Sequence, residues 1–320
     1  MCFFKKKNKG EKPSKFVEFV FTSDGKTALV NGIKKGYNEG DRLVIPGVFK
    51  GKPVKGCNTP IDLPFGIETV VFPDSFDYIG GRFFPKAKKF EVSLNHPKYA
   101  CVNGLITSKD GKTLLAIPGG LERLDKSKLE GTAIEALEPE AWSSCRQLKS
   151  IEVPSQAHIN NKPGEWLYEN DSFESFVFEG DTTMWGFEDG ILYHRMISTY
   201  KLVVNPAKEV VFKANLATRV LLDPGQKNVS LNKRSQAETL VFEDGITEID
   251  GDISLFPKVK AVYLPVSLVK MYPGFLAKAK NVDVYYRGSR DQLLAHVEKA
   301  LARPEQSWNY IFSRGVKDPD

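Results

Sequence analysis

Two phrases in this chain resemble the end of a phosphate-binding loop: Gly25-Lys26-Thr27 and Gly111-Lys112-Thr113. A nucleotide P-loop cradles phosphate on the amides of a glycine-rich turn, and it needs a further glycine five residues before its Gly-Lys pair. Val20 and Ile106 occupy those places. Both phrases follow an aspartate, Asp24 and Asp110, and read as Asp-Gly turns. Asp244, Glu248, Asp250 and Asp252 around Gly245 and Gly251 invite a calcium reading. Their spacing departs from the EF-hand order, and no glycine-rich nonapeptide is present, so a solvated turn is expected. His96, His158, His194 and His296 are scattered, with no His-x-x-His pair. Cys2, Cys57, Cys101 and Cys145 form no Cys-x-x-Cys, and no histidine lies at zinc-site spacing from them. They read as reduced thiols packed as small hydrophobes. These patterns indicate no catalytic, cofactor-binding or metal-ligating set. An enzyme would need a polar pocket assembled in three dimensions, for example His194 with an acidic or thiol neighbour near the hairpin inserts described below.

Aromatic residues offer a different chemistry, that of a contact surface. Trp142 lies at a repeat position that faces a core. Trp166 and Trp185 lie in segments rich in Gly, Asn and Asp, outside the clear repeat pattern. They are the candidate partner-binding anchors, because interfaces concentrate their energy on exposed Trp and Tyr.

The net charge of +5 suggests an acidic partner until it is located. Lys5, Lys6, Lys7, Lys9, Lys12 and Lys15, less Glu11, account for all of it, and the rest of the chain holds 39 basic and 39 acidic residues. No basic stripe follows, so nucleic-acid binding by the body is not expected. Met1-Cys-Phe-Phe lacks the apolar run of an export signal, and no stretch is long enough for a membrane span. A cytoplasmic, reduced chain with a solvated basic tail over 1–15 is expected.

The elements that must position any site come from a repeating phrase. Alternating apolar residues end in proline or an acid: Glu68-Thr-Val-Val-Phe-Pro73, Lys149-Ser-Ile-Glu-Val-Pro154 and Lys260-Ala-Val-Tyr-Leu-Pro265, with weaker copies at 175–179, 238–243 and 281–286. Leu240, Val262 and Val284 are spaced by 22 residues, the mark of a solenoid. The phrases are expected to stack as parallel strands in one sheet, with Val70 and Phe72, Ile151 and Val153, and Val262 and Leu264 inward. Between them, apolar residues step by three: Phe84, Ala87, Phe90; Trp142, Cys145, Leu148; Leu276, Ala279, Val282; and Ile253, Phe256, Val259, Val262, whose register admits more than one alignment. That step fits short 3₁₀ segments.

Residues 16–40 read as an N-terminal hairpin cap and 41–288 as the array. Hairpin inserts near 102–118 and 188–206 are signalled by Asn103-Gly104 and Asp189-Gly190. Residues 207–237 fit the repeat poorly. From 289 to 320 a capping helix is expected, with Leu293, Leu294, Val297, Ala300 and Leu301 on one face, Ser289 and Asp291 available as caps, and Trp308 to Phe312 available to seal the end.

The phrases resemble the BspA-like leucine-rich repeats of bacterial and some protist proteins. Phe72-Pro-Asp-Ser-Phe-Asp-Tyr-Ile-Gly-Gly-Arg-Phe-Phe84 and Ala141-Trp-Ser-Ser-Cys-Arg-Gln-Leu-Lys-Ser-Ile-Glu-Val-Pro154 are similar to the family unit, and Asn95-His-Pro-Lys-Tyr99 with Asn103-Gly-Leu105 is similar to its insertion. The resemblance implies a mainly β leucine-rich repeat solenoid with short 3₁₀ segments, a parallel sheet, hairpin inserts and a C-terminal capping helix. It carries no shared catalytic residues. It implies a non-enzymatic protein that binds a protein or peptide partner across an extended surface. A structural scaffold subunit, or a surface adhesin exported by a non-classical route, is the alternative, and a cell-surface location would follow from the resemblance.

Overall fold

The computed structural model describes residues 12–160, 170, 172–179, 184–203, 208–221, 236–272, 275–276, 281–289, 291–293 and 308–312. The backbone divides into two compact units, Met1–Phe173 and Glu174–Asp320.

The first unit opens with a hairpin in which β1 (Val17–Phe21) runs antiparallel to β2 (Ala28–Ile33). The turn between them is held by Asp24, whose Oδ1 accepts from Thr22 Oγ1 at 2.6 Å and Lys26 N at 3.1 Å. Next come β3 (Arg42–Val44) and a short β4 (Val48–Phe49) antiparallel to β5 (Lys52–Cys57). Strand β5 lies parallel to β2. β6 (Thr69–Phe72) and β7 (Lys89–Val92) extend β3 as a parallel ladder with Leu43, Val70 and Phe90 in register. All three of these side chains are buried, as alternation requires of an inward row.

The first insert is a three-stranded meander, β8 (Tyr99–Val102), β9 (Leu105–Ser108) and β10 (Thr113–Ala116). Asn103 and Gly104 both take positive φ, 51° and 81°, as the two central residues of a type I′ turn must. The β9–β10 turn repeats the Asp24 arrangement: Asp110 Oδ1 accepts from Ser108 Oγ at 2.5 Å and Lys112 N at 3.0 Å. After the meander come β11 (Arg123–Leu124), β12 (Ala136–Leu137), β13 (Ser150–Val153) and β14 (His158–Ile159). They form two parallel ladders, β10-β12-β14 and β11-β13.

The second unit repeats this plan. After β15 (Ser175–Phe178), a meander is built by β16 (Trp185–Glu188), β17 (Ile191–His194) and β18 (Thr199–Val203). Its turn residues Asp189 and Gly190 have φ of 49° and 79°. The chain then winds through β19 (Glu209–Phe212), β20 (Arg219–Leu221), β21 (Thr239–Phe242), β22 (Glu248–Asp250), β23 (Ala261–Leu264), β24 (Lys270–Met271), β25 (Val282–Tyr286) and β26 (Trp308–Phe312). Strands alternate between two parallel ladders, β18-β20-β22-β24 and β19-β21-β23-β25-β26. Leu240, Val262 and Val284 are register partners, so the 22-residue period is one turn of a solenoid.

The step of three has a hydrogen-bond cause. Ala87 N donates to Phe84 O (3.1 Å), Leu148 N to Cys145 O (3.0 Å), Cys145 N to Trp142 O (3.0 Å), and Val259 N to Phe256 O (3.1 Å). Each is a 3₁₀-type bond that brings residues i and i+3 to one face. Phe84, Ala87, Trp142, Cys145, Leu148, Phe256 and Val259 are all buried, as are Leu276 and Val282, while Ala279 lies outside the described residues. A serine after each of two strand prolines ties a turn to its predecessor. Ser75 Oγ donates to Val54 O at 2.7 Å, and Ser267 Oγ donates to Ile246 O at 2.8 Å.

Two expectations change. The phrases are parallel and their named pairs are buried, but hydrogen bonding distributes them over ladders β3-β6-β7, β11-β13 and β19-β21-β23-β25-β26 rather than one sheet. In the first unit the meander interrupts the stack: Phe90 N donates to Gly104 O at 2.9 Å, and Cys101 Sγ donates to Phe90 O at 3.1 Å. Within 207–237, Glu209-Val-Val-Phe212 proves to be another strand phrase, with Val210 and Leu240 in register. The spacing there is 30 residues, which hid it from a 22-residue search, and 222–235 lie outside the described residues. At the C-terminus a helix starts at Asp291–Leu293, and it is capped reciprocally. Ser289 Oγ accepts from Gln292 N at 3.2 Å, and Gln292 Oε1 accepts from Ser289 N at 2.8 Å, a capping box. Leu293 is buried, and the rest of its stripe lies outside the described residues. Trp308–Phe312 continue the ladder by pairing parallel with β25.

Candidate interaction surface

Residues that invited chemistry are occupied by structure. Asp24 and Asp110 hold their turns, and hydrogen bonds from Thr22 and Ser108 respectively keep both carboxyls below the usual range. The acids near Gly245 are committed separately, three to turns and Glu248 to the neighbouring strand. Asp244 Oδ1 accepts from Val266 N (2.8 Å), Glu248 Oε2 from Arg219 Nε (3.0 Å), Asp250 Oδ1 from Gly251 N (2.7 Å), and Asp252 Oδ1 from Ser254 N (2.9 Å). Among the described residues, no group of three His, Cys, Asp or Glu could hold a metal ion. Cys145 is buried, and burial pushes its thiol up to about 12, which suppresses the thiolate a nucleophile needs. Burial likewise pushes Cys57 up.

His194 is buried on β17. Its ring packs edge-to-face on Trp185, with centroids 4.6 Å apart, and its Nδ1 accepts from Ile197 N at 3.3 Å. Trp185 is therefore a core residue. It is 1% exposed, so it cannot act as an exposed anchor. Alternation on β16 turns it inward, a position that the glycine- and acid-rich sequence around it concealed. Trp166 lies outside the described residues.

The outward rows of the parallel ladders are where a partner would meet this fold. In the first unit that face is closed on itself. Arg42 on β3 makes a two-pronged contact with Glu91 on β7, Nη1 to Oε1 at 3.1 Å and Nη2 to Oε2 at 2.7 Å. Lys89 Nζ adds a contact at 2.8 Å. The Glu91 side chain is only 6% exposed. Burial pushes its carboxyl up, but the bonds from Arg42 and Lys89 outweigh burial and hold it below the ordinary value. Near by, a shallow pocket of about 220 Å³ is lined by Val92, Ser93, Leu94, Tyr99, Ala100, Cys101 and Lys109. Lys109 Nζ is already committed to Leu94 O at 2.7 Å.

In the second unit the outward row is open. Val211, Val241, Tyr263 and Tyr285 are register partners on successive strands of the ladder, each partly exposed. The Tyr263 and Tyr285 rings stack at 4.5 Å and 8°. A second outward row, Glu209, Thr239, Ala261 and Asp283, runs beside it. Burial, then Tyr285, Glu209 and Asp283, push the Tyr263 hydroxyl above its usual value, so both acids are felt at that ring. The sequence reading missed this row. Its signal was present, because the 22-residue period that aligns Leu240, Val262 and Val284 also aligns their neighbours Val241, Tyr263 and Tyr285.

No helix among the described residues is long and apolar enough to cross a membrane. Neither a protein-family model nor a curated protein sequence matches the chain. Among solved structures, it is similar to a leucine rich cell surface protein from Faecalibacterium prausnitzii, at 15% identity over 89% of this chain and 97% of that one, with a TM-score of 0.33. It is also similar to the pneumococcal vaccine antigen PcpA, at 13% identity over 95% and 98%, with a TM-score of 0.39. A leucine-rich repeat protein from Bacteroides ovatus matches at 13% identity over 94% and 100%, with a TM-score of 0.23. The assignment as a leucine-rich repeat solenoid rests on the parallel ladders, the 22-residue register and the 3₁₀ return legs seen in this chain itself.

Proposed function

We propose that the chain is a non-enzymatic repeat protein that holds a protein or peptide partner on the outward face of β19, β21, β23 and β25. One observation carries the reading. Tyr263 and Tyr285 form a stacked, partly exposed aromatic pair in register with Val241 and Val211. A tyrosine stack presents a large, stiff contact area, loses little side-chain entropy on binding and leaves hydroxyls to pair with a partner backbone. The core beneath is independent of it: Phe212 and Phe242 stack inward at 4.7 Å, so the outward rings are not needed to fill the interior.

The test is selection of a random peptide library on the folded protein, with counter-selection on the Tyr263→Ala/Tyr285→Ala variant. Clones that bind the parent at least about tenfold more tightly than the variant are expected, the weight of one interface hot spot. Selection that yields only clones indifferent to both tyrosines would refute the reading.

A further inference from the structure

Resting on that reading, we propose that the partner segment presents a lysine or arginine, whose cationic end lies over Thr239 and Ala261 between Glu209 and Asp283 and against Tyr263 and Tyr285. The outward row Glu209, Thr239, Ala261, Asp283 carries acids on β19 and β25 with small side chains on the two strands between them, and it continues to Asn309 on β26. Three strand spacings separate the two acids, about 14 Å at roughly 4.8 Å per strand. The small residues leave a shallow trough, and the parallel row two residues along supplies its wall, the stacked tyrosines.

The charge bookkeeping on this face is uneven. Lys260 is taken by Glu238 at 2.9 Å, and Lys213 by Glu188 and Asp189 at 2.9 and 2.8 Å. Glu209 and Asp283 pair with no cation among the described residues. Lys260 and Lys213 are therefore satisfied within the chain, while Glu209 and the partly exposed Asp283 form no ion pair among the described residues. A cation in the trough lies within a Debye length of both carboxylates and beside the tyrosine rings, the combination that favours ammonium and guanidinium groups over neutral ones. An acidic segment would meet repulsion at both ends.

Fluorescence anisotropy with three labelled ten-residue peptides of alternating Thr and X decides it, X being Lys, norleucine or Glu. The full-length protein is used at low salt, and thermal melts confirm that each variant is folded. The Lys peptide should bind at least about fivefold more tightly than the norleucine peptide, and salt should weaken it, as expected for exposed charges within a Debye length. Glu209→Gln/Asp283→Asn should remove that preference. Tyr263→Phe/Tyr285→Phe should retain most of it, and the alanine pair should lose it, because the ring and not the hydroxyl carries the cation contact. Absence of Lys-peptide binding, or equal binding of Lys and Glu peptides, overturns the inference. Norleucine binding that equals Lys binding and falls with the alanine pair also overturns it, while leaving the surface reading of the preceding section standing.

Discussion

The outward faces of β3-β6-β7 and of β19-β21-β23-β25 are built from the same strand phrase, yet they use it oppositely. On the first, Arg42, Lys89 and Glu91 reach across strands and neutralise one another, with Glu91 nearly buried. On the second, the same kind of outward position carries Val241, Tyr263 and Tyr285, flanked by two acids without a partner among the described residues. A face whose polar groups satisfy each other has little left to offer a partner. A face with an aromatic stack and uncompensated charge has unused bonding capacity.

The largest expected effect tests whether the first face is structural. Glu91→Ala leaves Arg42 and Lys89 without their counter-charge at a nearly buried site, and should destabilise the protein by about 2–4 kcal/mol in urea denaturation. Replacing the more buried partners together, Arg42→Met with Glu91→Leu, should recover most of that loss, since the remaining cation, Lys89, is half-exposed and stays solvated. A Glu91→Ala variant as stable as the parent would erase the contrast between the faces.

Acid provides a second measure of the same contact. The folded Glu91 carboxyl titrates below its ordinary value of 4.5, so its contribution is complete above that pH and is lost as pH falls through the lower folded value. The parent should therefore lose more stability between neutrality and strong acid than Glu91→Gln does. Denaturation curves whose pH dependence is identical for the two proteins would show that Glu91 contributes no linkage.

On the second face the expected stability effect is smaller and the binding effect larger. Tyr263→Ala/Tyr285→Ala should cost about 0.5–1.5 kcal/mol, the worth of one exposed aromatic pair beyond its area. A loss above about 3 kcal/mol in the same assay would mean that the stack is structural.

The smallest effect belongs to the exposed ion pairs that link adjacent turns on both faces, Lys88 with Glu68 and Lys260 with Glu238. Lys88→Ala and Lys260→Ala should each leave the urea denaturation midpoint unchanged within error, because solvent screens them. Unequal, large effects would show that one face depends on its rim far more than the other does.

Local rules decided much of this molecule before any tertiary contact formed. Asn103-Gly104 and Asp189-Gly190 dictate two type I′ turns because both centres need positive φ, and the two meanders follow from them. Alternation put Val70, Ile151 and Val262 inside, and the step of three put Phe84, Trp142 and Cys145 inside, because hydrogen-bond geometry sets both periods. Trp185 marks where local reading stopped. Its segment looks like a polar loop, and only pairing in register with β17, Trp185 opposite His194, turns the ring inward. The strand at Glu209–Phe212 was legible only through its partner, since its spacing to the next copy is irregular while its register with β21 is regular. The proposed contact row likewise depends on stacking. Tyr263 and Tyr285 are ordinary outward residues in one strand each, and they become a surface because parallel strands about 4.8 Å apart bring equivalent positions of successive turns into ring contact.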